Sequence, residues 1–373
     1  MNIQKRVIRN YPIKSAANIL GYINEVNELI AKKDNYYQQG ELIGKAGVEA
    51  QYEKVLRGKK GKKHFRRDRF NKIMGPFKNG IYDSIAVNGK DITLTIDSKL
   101  QQYGEYLMNG KRGGIIALEP SSGEILALVT SPSYDPNMMV GRLRSPNSVK
   151  LIGDTINKPM YDRGLKGTYP PGSPFKLVNA LIGLQEEVID ENSNFFCNGG
   201  YRYGNRKNEF MKCHCDIYGK PIQLKSAISH SCNSYFANTY KRIIEKNKNS
   251  INGMNNWSTH VKSFGLGNYL GYDLPEGDKG LIPNGDYYNR MYKHRWNAST
   301  NISNAIGQGE VLTTPIQLAN VTAAIANRGF FYTPHIVKKI DNQIITDSAY
   351  TTRKYTTIDK KHFEPIIEGM HEV

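Results

Sequence analysis

The sequence has no apolar run long enough to cross a bilayer and no signal-peptide pattern at its start. Its opening, Met1-Asn-Ile-Gln-Lys-Arg6, is polar and basic. Read alone, these absences predict a soluble cytoplasmic protein. A location outside the cytoplasm requires that a targeting segment has been removed from this chain. Internal repeats and low-complexity tracts are missing too, which leaves an ordinary globular chain. Acidic residues are in short supply, with 34 Asp and Glu against 51 Lys and Arg and a net charge of +17. The imbalance favours an anionic environment: a phospholipid surface, an acidic cell-wall polymer or nucleic acid. Charge alone does not choose among them. Cysteines are few, and all four (Cys197, Cys213, Cys215 and Cys232) fall in one short window.

The 373 residues suffice for two domains and a sizeable core. The first 95 or so are rich in Lys, Arg, Gly, Asn and Tyr, with weak periodicity. Ala16-Ala-Asn-Ile-Leu-Gly-Tyr22 leads to a predicted helix over Val48 to Leu56, closed by Gly58. Nine of the sixteen residues from Arg57 to Lys72 are Lys or Arg. Such a run is a solvated loop or a contact for an acidic surface. Aromatics are too few there for a stacking platform, and no nucleic-acid motif accompanies the run, so no nucleic-acid partner is expected.

From Asp91 the texture changes. Ile92-Thr-Leu-Thr-Ile96 alternates as a strand does, and Asp97 caps a helix running to Leu107. Gly114 to Glu119 and Glu124 to Thr130 flank Pro120-Ser-Ser-Gly123, which predicts a hairpin. Both strands are apolar almost throughout, so helices should cover both faces. After Ser173 the pattern is helical, around Leu177 to Leu184, Tyr235 to Ile244 and Ile316 to Ala324.

Two short stretches carry the chemistry. Tyr169-Pro-Pro-Gly172 delivers Ser173-Pro-Phe-Lys176 to the start of an apolar helix, and Ser231-Cys-Asn233 opens another. Serine needs a base within hydrogen-bond reach. At i and i+3, Ser173 and Lys176 share one helix face. Lys176 acts as base only if burial and positive neighbours lower its pKa. Pro174 suits the first helical position, and the free N–H groups of that turn face an oxyanion formed at Ser173. Ser231 can relay the proton, and the Asn233 amide offers a donor and an acceptor to a peptide. Taken singly, each stretch is equally a helix cap with a solvated neighbour.

Taken jointly, these motifs make the chain resemble the class B penicillin-binding proteins, D,D-transpeptidases that cross-link peptidoglycan, and most of all their elongation-type branch. Gly44-Lys-Ala-Gly-Val-Glu49, Tyr52-Glu53 and Leu56-Arg-Gly58 resemble that family's N-terminal pedestal domain. Leu94-Thr-Ile-Asp97, Gly123-Glu-Ile-Leu-Ala-Leu128 and Pro132-Ser-Tyr-Asp-Pro136 resemble the opening of its catalytic domain. Ile306-Gly-Gln-Gly309 with Thr314-Pro-Ile-Gln317 resembles the segment before its last motif. The resemblance implies a mixed α/β (α+β) fold of the penicillin-recognising serine type, with a partial pedestal over 1–95 and a transpeptidase domain over 96–373. It implies that Ser173 attacks the penultimate D-Ala carbonyl of a stem peptide, Lys176 takes the proton, Ser231 passes it on and Asn233 holds the peptide. β-Lactams would acylate Ser173 in the same way. Membrane proteins of cell elongation would be partners, and the location would be the periplasmic face of the inner membrane through an anchor missing from this chain. The family's third motif, Lys-Thr/Ser-Gly, is not found, and Lys262-Ser-Phe-Gly265 has the wrong spacing. An internal piece of a longer protein, incomplete for turnover, is therefore expected. A non-catalytic cell-wall scaffold is the competing reading.

The cysteines admit three readings. Cys197, Cys213, Cys215 and Cys232, or three of them with His214, suffice for a structural tetrahedral zinc. Two disulfides are the default in an oxidising compartment, although Cys213 and Cys215 pair poorly at that spacing. Free thiols are the third. Some elongation-type relatives hold zinc at the corresponding place, which the resemblance carries over as an expectation.

Overall fold

The computed structural model describes residues 8–246 and 249–373, so the basic opening Met1 to Arg6 lies outside the described residues. In the N-terminal part, β1 (Ile23–Glu25) and β2 (Leu42–Gly44) pair antiparallel. The helix expected over Val48 to Leu56 is two short ones, α1 (Gly47–Gln51) and α2 (Glu53–Leu56). The break is at Tyr52, whose side chain is drawn away to donate to Asp273 Oδ2 at 2.6 Å. The basic run is no plain loop either. It contains β3 (Phe65–Arg67), paired antiparallel with β4 (Ile73–Pro76), and both strands are almost wholly exposed.

β5 (Ile92–Leu94) leads into α3 (Ser98–Leu107), and the Asp97 carboxylate accepts from Lys99 N at 2.9 Å and Leu100 N at 3.0 Å. These are the orphan amides an N-cap satisfies. The hairpin is present as β6 (Gly113–Leu118) and β7 (Ile125–Ser131), in register from Gly113–Ser131 to Ala117–Ala127, with a register shift before the last pair, Leu118–Ile125. Coverage on both faces holds for β7, whose Ile125, Leu128 and Val129 are buried. It holds less well for β6, which is half-buried throughout and has β7 as its single strand neighbour among the described residues.

The main core forms around α4 (Phe175–Gln185), buried on nearly every side. A helix hydrophobic around its circumference must lie in the middle of a layer. It packs on α5 (Asn233–Glu245) and α6 (Ser250–Ser263). Trp257 of α6 meets Phe175 edge-on at 6.0 Å and Tyr240 at 5.7 Å, within the range where aromatic edges meet faces. Its indole N–H donates to Asn179 Oδ1 at 2.8 Å, and Asn179 Nδ2 donates to the carbonyls of Asn304 and Ala305. Every polar group that α4 buries here has a partner, which fixes its rotation and so the aim of its first turn.

Two further antiparallel strands, β8 (Gly200–Arg202) and β9 (Phe210–Lys212), carry the loop toward the cysteines. A two-residue strand at Pro221–Ile222 is followed by a short helix from Leu224 to Ser229. α7 (Pro315–Ala326) packs along β6 and starts with a full capping box: Thr314 and Gln317 exchange side chain for backbone in both directions. β10 (Val337–Ile340) returns to pair with β5, and α8 (Phe363–His371) closes the described chain against the helix ending at Ser229.

Candidate active site and cysteine cluster

Ser173 stands exposed at the head of α4, with Lys176 buried beneath it at 3% exposure. The turn starts tightly. Phe175 N donates to Gly172 O and Lys176 N to Ser173 O, both at 3.0 Å. Pro174 therefore precedes the assigned helix by one residue, though its backbone is already helical. The amides of Phe175 and Lys176 are thus consumed within the turn and do not face an oxyanion. The Ser173 N–H is left, with no acceptor among the described residues.

The segment 169–173 is tied to a second loop. Gly172 N donates to Gly307 O at 2.9 Å, while Tyr169 and Thr313 exchange backbone hydrogen bonds of 2.9 Å each way. Gly307 has φ +66°, and a Cβ there would lie 2.4 Å from Gly172 O and 2.6 Å from Phe175 Cβ. Only glycine permits that approach. Beside this turn runs a groove of about 410 Å³ between β6, α4 and α7, bordered by Tyr169, Pro174 and Leu318.

The two motifs meet. Lys176 Nζ donates to Ser231 O at 2.7 Å, Ser231 Oγ at 2.9 Å and Asn233 Oδ1 at 2.6 Å. Ser231 Oγ in turn donates to Ser173 Oγ at 3.0 Å. Lysine and nucleophile are therefore linked through the second serine. Ser231 holds φ +50°, unusual outside glycine and the kind of local strain that clusters at working sites. Burial lowers the Lys176 pKa to about 8. Positive neighbours, expected as a second cause, are not one: the nearby cysteine sulfurs push the other way.

Asn233 Nδ2 donates to Lys212 O at 2.8 Å, which leaves one of its two N–H bonds for a substrate. Its backbone N–H donates to Cys213 Sγ at 3.1 Å. The Ser-x-Asn turn is thus held from below by the cysteine cluster. Cys197, Cys213, Cys215 and Cys232 place their sulfurs within 4.8 Å of one another, and none is in a disulfide. Adjacent sulfurs are 3.3, 3.4 and 3.8 Å apart. A disulfide needs about 2.05 Å, whereas the edge of a sulfur tetrahedron around zinc, with Zn–S about 2.3 Å, is about 3.8 Å. The donor set and its size fit a zinc ion. His214 does not belong to it. In extended chain alternate side chains point apart, so Cys213 and Cys215 turn inward and His214 is exposed. Hydrogen bonds from Cys232 and from backbone amides pull the Cys213 thiol down, while burial raises Cys215 and its Cys213 bond drives Cys232 upward.

Sequence reasoning brought the four chemistry-bearing residues together, but it missed two contributors. Gly307 was visible only as part of a Gly-x-Gly pair, without a hint that it touches the nucleophile turn. Lys212 acts through its carbonyl, for which a sequence has no signal.

A serine served by a buried lysine through a second hydroxyl is the arrangement of serine acyl-transfer sites that use lysine where others use histidine. Residues 113–373 match the family described as penicillin binding protein transpeptidase domain, and residues 1–94 match the penicillin-binding protein dimerisation domain. The chain belongs to the penicillin-binding protein transpeptidase family. It is 34% identical over 341 residues to the peptidoglycan D,D-transpeptidase MrdA of Acinetobacter baumannii, covering 91% of this chain and 48% of that protein. MrdA of Escherichia coli K12 is 30% identical over 88% of this chain and 51% of its own length. The chain thus spans about half the length of the curated relatives it matches. Pseudomonas aeruginosa PBP2 in complex with WCK 5153 superposes with a TM-score of 0.79 at 31% identity, over 99% of this chain and 75% of that one. Helicobacter pylori PBP2 in complex with MreC gives 0.82 at 26% identity, over 98% and 64%.

Proposed function

We propose that this protein is a peptidoglycan D,D-transpeptidase of cell elongation, with Ser173 as nucleophile. The observation that carries this is the continuous relay Ser173 Oγ–Ser231 Oγ–Lys176 Nζ. With Lys176 neutral, the Ser173 proton moves to Ser231 as Ser231 gives its own to Lys176 Nζ, and Ser173 Oγ attacks the D-Ala carbonyl. The Ser173 N–H faces the developing oxyanion. Lys176 then returns the proton through Ser231 to the departing D-Ala amine, leaving an acyl-serine that an amine of a neighbouring stem peptide resolves. Asn233 holds the donor peptide through its remaining N–H. An MreC-type elongation protein is the expected partner, by similarity to the H. pylori complex. The location that goes with this reading is the periplasmic face of the inner membrane.

Intact mass after incubation with benzylpenicillin tests it. One drug mass is expected on the wild type and none on Ser173→Ala. No adduct on the wild type would withdraw Ser173 as an activated nucleophile in this chain and favour the scaffold reading.

The cysteines complete the proposal. Cys197, Cys213, Cys215 and Cys232 hold a structural zinc whose bound state locks the loop before α5. Metal analysis should return one zinc per chain. Cys215→Ser should lose it and melt several degrees lower. A metal-free chain that melts identically with and without chelator would sink this assignment.

A further inference from the structure

The basic run is not absorbed by the catalytic reading, and its shape is informative. Residues 59–87 form one long irregular hairpin. Lys59 pairs with Val87 and Lys62 with Ser84 through backbone bonds of 2.8–3.0 Å, and the β3–β4 pairing continues it. Beyond Gly61, every hydrogen bond and ion pair of this arm among the described residues stays within the arm. It therefore projects from the body.

The arm joins two features that a solvated hairpin does not need together. Residues 59–87 hold nine Lys and Arg against two Asp, so this short arm carries +7 of the chain's +17. Lys62, Lys63, Arg66, Arg69 and Lys72 have no carboxylate within ion-pair distance among the described residues. Interleaved with them, Phe70, Ile81 and Ile85 are 75%, 79% and 90% exposed, and Phe65, Ile73 and Met74 about half. A charge run kept for solubility would not carry six large apolar side chains into water. A soluble polyanion would neutralise the cations and leave those side chains wet.

We propose that this arm is an interfacial anchor for an anionic phospholipid surface. Its apolar side chains enter the headgroup–acyl boundary while the flanking Lys and Arg engage lipid phosphates. A bilayer interface supplies both needs at once, a negative surface and an adjacent apolar layer. The cation stems also lie along the apolar layer with their charged ends at the phosphates.

Vesicle co-sedimentation of the 373-residue chain tests this. Vesicles of phosphatidylglycerol mixed with phosphatidylethanolamine should bind it, and phosphatidylcholine vesicles should not. Salt at about 0.5 M should weaken binding by screening. Replacing Lys63, Arg66 and Arg69 by Gln should weaken it about 100-fold, at roughly fivefold per cation. Phe70→Ser with Ile81→Ser and Ile85→Ser should weaken it about tenfold or more, with unchanged melting temperature because these three side chains are 75%, 79% and 90% exposed. Two results would overturn the proposal. One is no binding of the wild type to phosphatidylglycerol vesicles. The other is full binding by the apolar variant, or equal competition by polyglutamate, which would make the arm a site for a soluble polyanion.

Discussion

At the scale of single residues, the site turns on how Lys176 is held. Its three donors are all spent, on Ser231 twice and Asn233 once, so the ammonium is solvated by the protein although water is excluded. Burial still wins and lowers its pKa from 10.5 to about 8. The sign follows. Between pH 8 and 10.5 the unfolded chain holds a proton here that the folded chain does not, so this group's contribution to stability rises with pH across that window. Below pH 8 both states are protonated and the slope vanishes. For acylation the useful form is the neutral amine. The rate of benzylpenicillin acylation should climb about tenfold per pH unit below 8 and level off above it. A stopped-flow profile flat from pH 6 to 9 would remove Lys176 as the base. Ser173, Lys176, Ser231 and Asn233 were legible in the sequence because their spacing is local to two helix starts. That Ser231 bridges the other two was not, because it depends on how α4 and α5 pack.

At the scale of elements, the nucleophile is positioned by a loop rather than by its own helix alone. Two backbone contacts, Gly172 to Gly307 and Tyr169 to Thr313, clamp the segment that ends in Ser173. Gly307→Ala would force a methyl group to 2.4 Å from Gly172 O at a positive φ. The loops must separate, and the Ser173 N–H and Oγ shift with them. Acylation should fall on the order of 100-fold, since misplacement by about an ångström costs that much. The metal content should be unchanged, because no cysteine is among the nearest atoms a methyl group at Gly307 would meet. Adduct formation at the wild-type rate would show that the clamp does not set the aim of Ser173. The elements themselves were readable wherever the pattern was local. Asp97 before a helix, apolar strands around Pro-Ser-Ser-Gly, and the helix around Ile316 to Ala324 all appear where expected. The arm at 59–87 was not, because its pairing crosses a charge run with no alternation to reveal a strand. The β5–β10 pairing was hidden for another reason: some 240 residues separate its strands.

At the scale of the whole molecule, one buried carboxylate joins three distant stretches. Asp273 is 1% exposed. Its Oδ1 accepts from Ile336 N at 2.7 Å, and its Oδ2 accepts from Val337 N at 3.0 Å and from the Tyr52 hydroxyl at 2.6 Å. The N-terminal part is thereby fastened to β10 and, through β5, to the catalytic part. Every contact needs an acceptor, so an amide is no substitute. In Asp273→Asn one oxygen becomes an NH₂ that faces an N–H whichever way it is flipped. The expected loss is about 3 kcal/mol or more, close to that of Asp273→Ala, because both leave buried donors unpaired. Tyr52→Phe removes one donor and leaves both oxygens served by backbone, so it should cost about 1.5–3 kcal/mol. Urea unfolding of the three variants checks the order. If Asp273→Asn were as stable as the wild type, the carboxylate would not be the fastening, and the two parts would be held by apolar packing alone.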